Sequence, residues 1–186
     1  PVATGEASAV GERHGVHTET DARRFGDVLE KLHLSRLAVV AHAVDVIALA
    51  GLTELQHLDL SGNRIASIEP IATLTNLEWL RLEGNQVTYL APVTGLKKLV
   101  MIDLKKNRVK DLTPLKGLQS WSALYLDDNQ VVDLKPLVDG LKADQDKPKV
   151  LIPFRSISLK NNPLTAQAKA TDLPLLQKLT DSLTVQ

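Results

Sequence analysis

His57 and Asp59 stand two residues apart, the spacing at which an imidazole and the carboxylate that orients it share one face of a strand. No nucleophile is placed beside them. The chain also has no cysteine, no nucleophile elbow, no Walker loop and no HExxH. Catalysis is therefore not expected. His14 and His17, with Glu12 and Glu19 nearby, are of metal-ligand type, but they fall in a small, polar, aperiodic stretch that supplies no fixed geometry, so neither a metal nor another cofactor is expected. Asp127, Asp128 and Asn129 offer oxygens in a row, as a calcium site does, yet Asn129 belongs to a repeating column and Asp128 to the turn slot before it. The residues that carry a binding chemistry are Trp79, Arg81, Met101, Asp103 and Tyr125, types in which interfaces concentrate their energy.

What positions these side chains is a repeat. Asparagine returns every 22 residues at Asn63, Asn85, Asn107 and Asn129, in four gapless segments covering 51–138. The columns keep their chemistry: Leu60, Leu82, Leu104 and Leu126 in one, Ile65, Val87, Val109 and Val131 in another, Pro70, Pro92, Pro114 and Pro136 in a third. This is the frame of a leucine-rich repeat, and it predicts an α/β fold: a right-handed solenoid with a curved parallel sheet on the concave face, short helical or extended convex segments, and helical caps at both ends.

Within one unit the alternation Leu58-x-Leu60 marks a short strand whose leucines point inward and whose Asp59 points out. Asn63 falls where the chain turns away from the sheet, and its amide can satisfy backbone groups that no ladder reaches, so an asparagine ladder should run down the stack. Ile65, Ile68 and Ile71 then recur every third residue, as in a tight convex run, and the proline column argues against long helices there. The residues alternating with the buried leucines should line the concave face. They are His57, Asp59 and Ser61; Trp79, Arg81 and Glu83; Met101, Asp103 and Lys105; Ala123, Tyr125 and Asp127; Ser156, Ser158 and Lys160. Trp121 shares a column with Leu55, Leu77, Leu99 and Phe154 and is core filling, whereas Tyr89 lies outside the core.

The remaining segments close the ends. Residues 1–19 are predicted to be a polar tail and 20–50 a helical cap with a degenerate repeat: Phe25, Val28, Leu29 and Leu32 recur at helical spacing. Residues 37–49 fit either a worn repeat, the preferred assignment, or a helix. Residues 139–149 are surplus to the period and polar, and predict an exposed loop. The last repeat resumes over 150–164 and ends at Asn162. Over 165–186, Leu173, Leu176 and Leu179 predict a closing helix with Asp172 as N-cap and Pro174 in its first turn.

All 186 residues fit one domain, and 44% hydrophobic content can fill a continuous core. The formal charge is zero, so there is no global field for nucleic acid or anionic membrane. The third repeat, 95–116, is nevertheless net +5 and the fourth, 117–138, net −2. No apolar stretch is long enough to span a bilayer. The chain opens on Pro1, which fits a processed precursor as well as a trimmed one, and a secreted, periplasmic or cell-surface location is expected over a cytoplasmic one.

The stretches IASIEPIATLTNLEWLRLEGNQV and VKDLTPLKGLQSWSALYLDDNQV resemble the repeats of bacterial internalins and their relatives, over about 51–138 and again at 150–164. LKNNPLTAQAKATDLPLLQKLTDSLTV resembles the asparagine-proline ending and closing helix of bacterial proteins of this class. The resemblance implies a protein partner held on the concave sheet. The wall anchor, immunoglobulin-like segment and amino-terminal cap of adhesive internalins have no match here, so that role does not carry over. The expectation is a monomeric, non-enzymatic recognition module binding a protein through His57, Asp59, Trp79, Arg81, Glu83, Met101, Asp103, Lys105, Tyr125 and Asp127. The alternatives are an anionic polymer, polysaccharide or nucleic acid, on the basic third repeat, or a spacer within a larger protein.

Overall fold

The computed structural model describes residues 6–9, 36–39, 49–118, 121–145 and 155–185. Each Leu-x-Leu alternation forms one short strand: β3 (His57–Asp59), β4 (Trp79–Arg81), β5 (Met101–Asp103), β6 (Ala123–Tyr125) and β7 (Ser156–Ser158). With β1 (Glu6–Ala9), β2 (Arg36–Val39) and β8 (Ser182–Thr184) they form one sheet whose strands lie in sequence order. All pairs are parallel. The register follows the repeat, with His57 opposite Trp79, Trp79 opposite Met101, Met101 opposite Ala123 and Ala123 opposite Ser156.

Behind the sheet lies a continuous core. Leu58, Leu80, Ile102, Leu124 and Ile157 project from the strand centres and are buried, as are Leu60, Leu82, Leu104, Leu126 and Leu159 beside them. Burying a large aliphatic side chain is worth roughly 1.5–3 kcal/mol. Each rung closes only the neighbouring rung's face, so this stabilisation exists only in the stack. Trp121 is buried in the same core, in the leucine column that the repeat assigns to it.

The chain leaves the sheet through a turn that the asparagines hold. Asn107 Nδ2 donates to the carbonyls of Leu82 (2.8 Å) and Leu104 (3.1 Å), and its Oδ1 accepts the N–H of Val87 (2.9 Å). Asn85 repeats the arrangement one rung before, and Asn129 and Asn162 one and two rungs after. The residue before each asparagine is left-handed: φ is 71° at Gly62 and Gly84, 54° at Lys106, 57° at Asp128 and 56° at Asn161. Only glycine adopts this conformation freely, and asparagine and aspartate do so at less cost than other residues. Asp128 is thus a turn residue.

On the convex side, 3-10 turns at Glu69–Thr73, Ala91–Gly95 and Thr113–Gly117 each carry the column proline near their start, where its missing N–H is not needed. The fourth repeat differs. Helix α1 (Lys135–Gln145) runs for 11 residues, so the part of 139–149 predicted to be loop is helical through Gln145. Leu137, Val138 and Leu141 are buried at helical spacing, so the helix has an apolar stripe to which the surplus segment contributes Leu141.

Both ends depart from expectation. Glu6–Ala9, in the stretch predicted to be a polar tail, pairs as β1 with β2. Strand pairing is a main-chain interaction, and the open edge of a parallel sheet can recruit backbone that shows no side-chain periodicity. Residues 36–39 take the strand alternative as β2; 40–48, the predicted helix near 20–32, and His14 and His17 lie outside the described residues.

At the carboxyl end, helix α2 (Leu173–Leu179) continues a helical turn over Ala168–Asp172 and does not begin at Asp172. Asp172 is itself helical and makes no capping bond. Thr165 Oγ1 instead accepts the N–H of Ala168 (3.1 Å). The turn before α2 is widened, with Leu173 N–H reaching Ala168 O, five residues back. Pro174 accounts for this: a regular helix would aim its ring at the carbonyl four residues earlier. The cap ends in a strand, β8, which closes the sheet by pairing with β7, so it is not helical throughout.

Candidate functional site

Crowding on the concave face separates two neighbouring rungs from the rest. Trp79 is held by β4 with its ring 42% exposed, tilted at 50° to the His57 ring with centroids 5.4 Å apart. Arg81 follows on the same face and reaches Asp59 at 3.6 Å. On β5, Met101 and Asp103 also face away from the core, yet each is only 8% exposed. Both were assigned to the concave face, and they lie on it largely covered.

Charges within the face are largely committed. Asp103 Oδ1 accepts the N–H of Lys105 (3.1 Å) and its Oδ2 meets Lys105 Nζ at 3.2 Å. Lys105 Nζ also lies 3.6 Å from Glu83 and 5.3 Å from the Tyr125 ring centre. Glu83 takes a second cation, Lys106 Nζ, at 2.8 Å. That bond is the largest influence on the Glu83 carboxyl and holds it below the ordinary range, and the same bond raises Lys106. Burial works to lower Lys105, but Asp103 and Glu83 outweigh it and the net shift is upward. Asp59 Oδ1 accepts the N–H of Ser61 at 3.0 Å. Asp127 Oδ1 is engaged by Ser158 Oγ and by the N–H of Lys160.

The result is a hollow of about 550 Å³. Eight of the ten predicted residues line it: Asp59, Trp79, Arg81 and Glu83 on one side, Met101, Asp103, Lys105 and Tyr125 on the other. His57 and Asp127 lie beyond the lining. Ser61 and Ala123, also assigned to the face, join it. Val100 and Ser122 were missed. They stand just before β5 and β6, in a column that reads Gln56, Glu78, Val100, Ser122 and Arg155, and the signal was there: Val100 is its one apolar member. The hollow is divided along the strand direction. Trp79, Val100, Met101 and Ala123 give it an apolar side, and the residues two to four positions later give it a charged one.

The five-rung geometry agrees with what other proteins show. A family model described as leucine-rich repeats, two copies, matches residues 53–92 and again 75–117. The matched stretch, 53–117, is thus built of leucine-rich repeats. Crystal structures of two internalins of Listeria monocytogenes share the leucine-rich-repeat fold. Internalin F superposes with a TM-score of 0.67 at 24% identity, over 98% of this chain and 57% of that one. Internalin C2 does so with a TM-score of 0.50 at 22% identity, over 91% of this chain and 84% of that one. A leucine-rich-repeat protein of Leptospira interrogans gives 0.62 at 18% identity, over 85% of this chain and 44% of that one. At these identities the likeness is one of fold. No curated protein sequence matches the chain. Among the described residues, no helix is long and apolar enough to cross a membrane.

Proposed function

We propose that this leucine-rich-repeat protein is a non-enzymatic recognition module that binds a protein partner in the hollow of its concave face. The observation that carries this reading is Trp79: a large ring 42% exposed, next to a half-exposed Arg81 and a methionine floor, on a backbone fixed by parallel pairing on both sides. A preorganised surface limits the ordering cost of association, and aromatic and arginine side chains are where interfaces gain most.

The polyanion alternative is weakened by the same geometry. Of the seven cations of the third repeat, three are paired with carboxylates: Lys105 and Lys106 on the face, and Lys116 on Asp139. Both lysines of that repeat nearest the hollow are thus partly neutralised, which weakens their pull on a polymer's phosphates or carboxylates.

The test is affinity capture from the native source on the full chain, in parallel with the double variant Trp79→Ala/Tyr125→Ala and with Tyr89→Ala on the convex flank. The double variant should bind the captured protein about 30-fold more weakly, as loss of an aromatic anchor does, and Tyr89→Ala should bind it unchanged. Recovery of the same proteins by the double variant at equal affinity overturns the reading, and a steep fall of affinity with salt would favour the polymer instead.

A further inference from the structure

Among the described residues of the hollow, one cation has a single ion pair and no side-chain hydrogen bond. Glu83 has Lys106 on Oε1 and Lys105 on Oε2. Asp103 has the backbone and the ammonium of Lys105. Lys105 has two carboxylates and the Tyr125 ring. Arg81 is different. Its guanidinium carries five N–H donors in a planar fork, and its one ion pair among the described residues is a 3.6 Å approach to Asp59, beyond hydrogen-bond length. Its side chain is 51% exposed, and Asp59 already accepts the Ser61 N–H.

We infer that Arg81 is the docking point for a carboxylate of the bound partner, which places a large apolar side chain against Trp79 and Met101 at the same time. This deepens the concave-face reading and rests on it. Charge complementarity selects the occupant, because an arginine fork matches a carboxylate in two parallel hydrogen bonds and gains most where neighbouring walls exclude water. Trp79 and Arg81 are alternate residues of one strand, so their side chains leave the sheet about 6–7 Å apart. The partner segment therefore carries its acidic and apolar side chains at that separation, as residues i and i+2 of an extended peptide do. A segment basic at that position meets Arg81 head-on and is rejected.

The test uses the full chain and three capped pentapeptides with phenylalanine at the second position and glutamate, glutamine or lysine at the fourth. Proton–nitrogen spectra follow the Arg81 Nε–H and the Trp79 indole N–H during titration. The glutamate peptide should move both resonances and bind about tenfold more tightly than the glutamine peptide, with the lysine peptide weaker still. Arg81→Gln should abolish the preference for glutamate while the Trp79 signal still responds. Asp59→Asn keeps the acceptor for Ser61 N–H but releases the guanidinium, and should strengthen the preference. Equal binding of the glutamate and glutamine peptides, a preference that survives Arg81→Gln, or no movement of Arg81 with any peptide at millimolar concentration overturns the inference. Should Trp79 respond to all three peptides alike, the carboxylate assignment falls while the concave-face reading stands.

Discussion

Asn107 ties neighbouring rungs together, because one amide serves four backbone groups of three segments. Its Nδ2 reaches the carbonyls of Leu82, Leu104 and Lys105 and its Oδ1 takes the N–H of Val87, all beside a dry core. Asn107→Ala strands buried donors and acceptors that water cannot reach, and should lower the unfolding free energy by about 3 kcal/mol in urea titration. Asn76→Ala removes bonds at the exposed rim and should cost under about 1 kcal/mol. Equal losses would show that the ladder is ornament. Glu83 makes a second residue-scale prediction. Its folded pKa lies below its unfolded one, so the ion pair with Lys106 stabilises the fold above the ordinary glutamate range and is lost as pH falls through the depressed value. Carbon NMR of the Glu83 carboxyl should show the low titration, and Lys106→Met should move it upward. An unchanged midpoint would mean that the pair does not persist in solution.

At the scale of the element, one column supports the start of three of the four convex segments. Asp111 Oδ1 accepts Thr113 N–H at 2.8 Å, Asp133 Oδ1 accepts Lys135 N–H at 2.9 Å, and Ser67 Oγ approaches Glu69 N–H at 3.4 Å. Tyr89 holds the same place in the second repeat, cannot accept in that geometry, and is 60% exposed. Tyr89→Asp should therefore raise stability by about 0.5–1 kcal/mol, checked as an increase in the denaturation midpoint at constant slope. A neutral or destabilising outcome would show that the column does not act as a cap. Helix α1 depends on close approach instead: a Cβ on Gly140 would lie 2.9 Å from the Lys116 carbonyl oxygen and 3.1 Å from its Cα. Gly140→Ala should cost about 1–3 kcal/mol despite alanine's better helix propensity.

These elements also show how far the sequence could be read. Leu60, Leu82, Leu104 and Leu126 share one environment, so their column announces strand, core and register at once. Ten residues of the hollow followed from alternation alone, as outward neighbours of the buried strand residues. The low exposure of Met101 and Asp103 did not, because periodicity assigns a residue to a face and does not encode how crowded that face is. The occupied state of Asp127 depends on Ser158 and Lys160, 31 and 33 residues later. β1 and β8 were invisible for a related reason: an edge strand is defined by the neighbour it joins, and Ser182–Thr184 carries no pattern of its own.

On the scale of the whole molecule, a solenoid whose rungs touch only their neighbours need not unfold everywhere at once. The sheet pairs β3 with β4 and so on to β8, and the closing helix packs Leu176, fully buried, against the end of the core. Leu176→Ala removes that plug and leaves a cavity, a change that costs about 2–5 kcal/mol in a tightly packed core. If coupling passes from rung to rung, the loss should be felt most where the cap sits. Hydrogen exchange of the Leu159 amide, which donates to Thr184 O at 2.8 Å, should accelerate sharply, and that of the Leu126 amide less. The Leu60 amide, bonded to Arg81 O at 2.9 Å and four rungs before Leu159, should be the least affected. A graded response leaves Trp79 and Arg81 in place while the end frays, so a partner could bind the first two regular rungs of a molecule whose cap has opened. Uniform acceleration at all three amides would instead show one cooperative unit, and the hollow would then be only as stable as the cap.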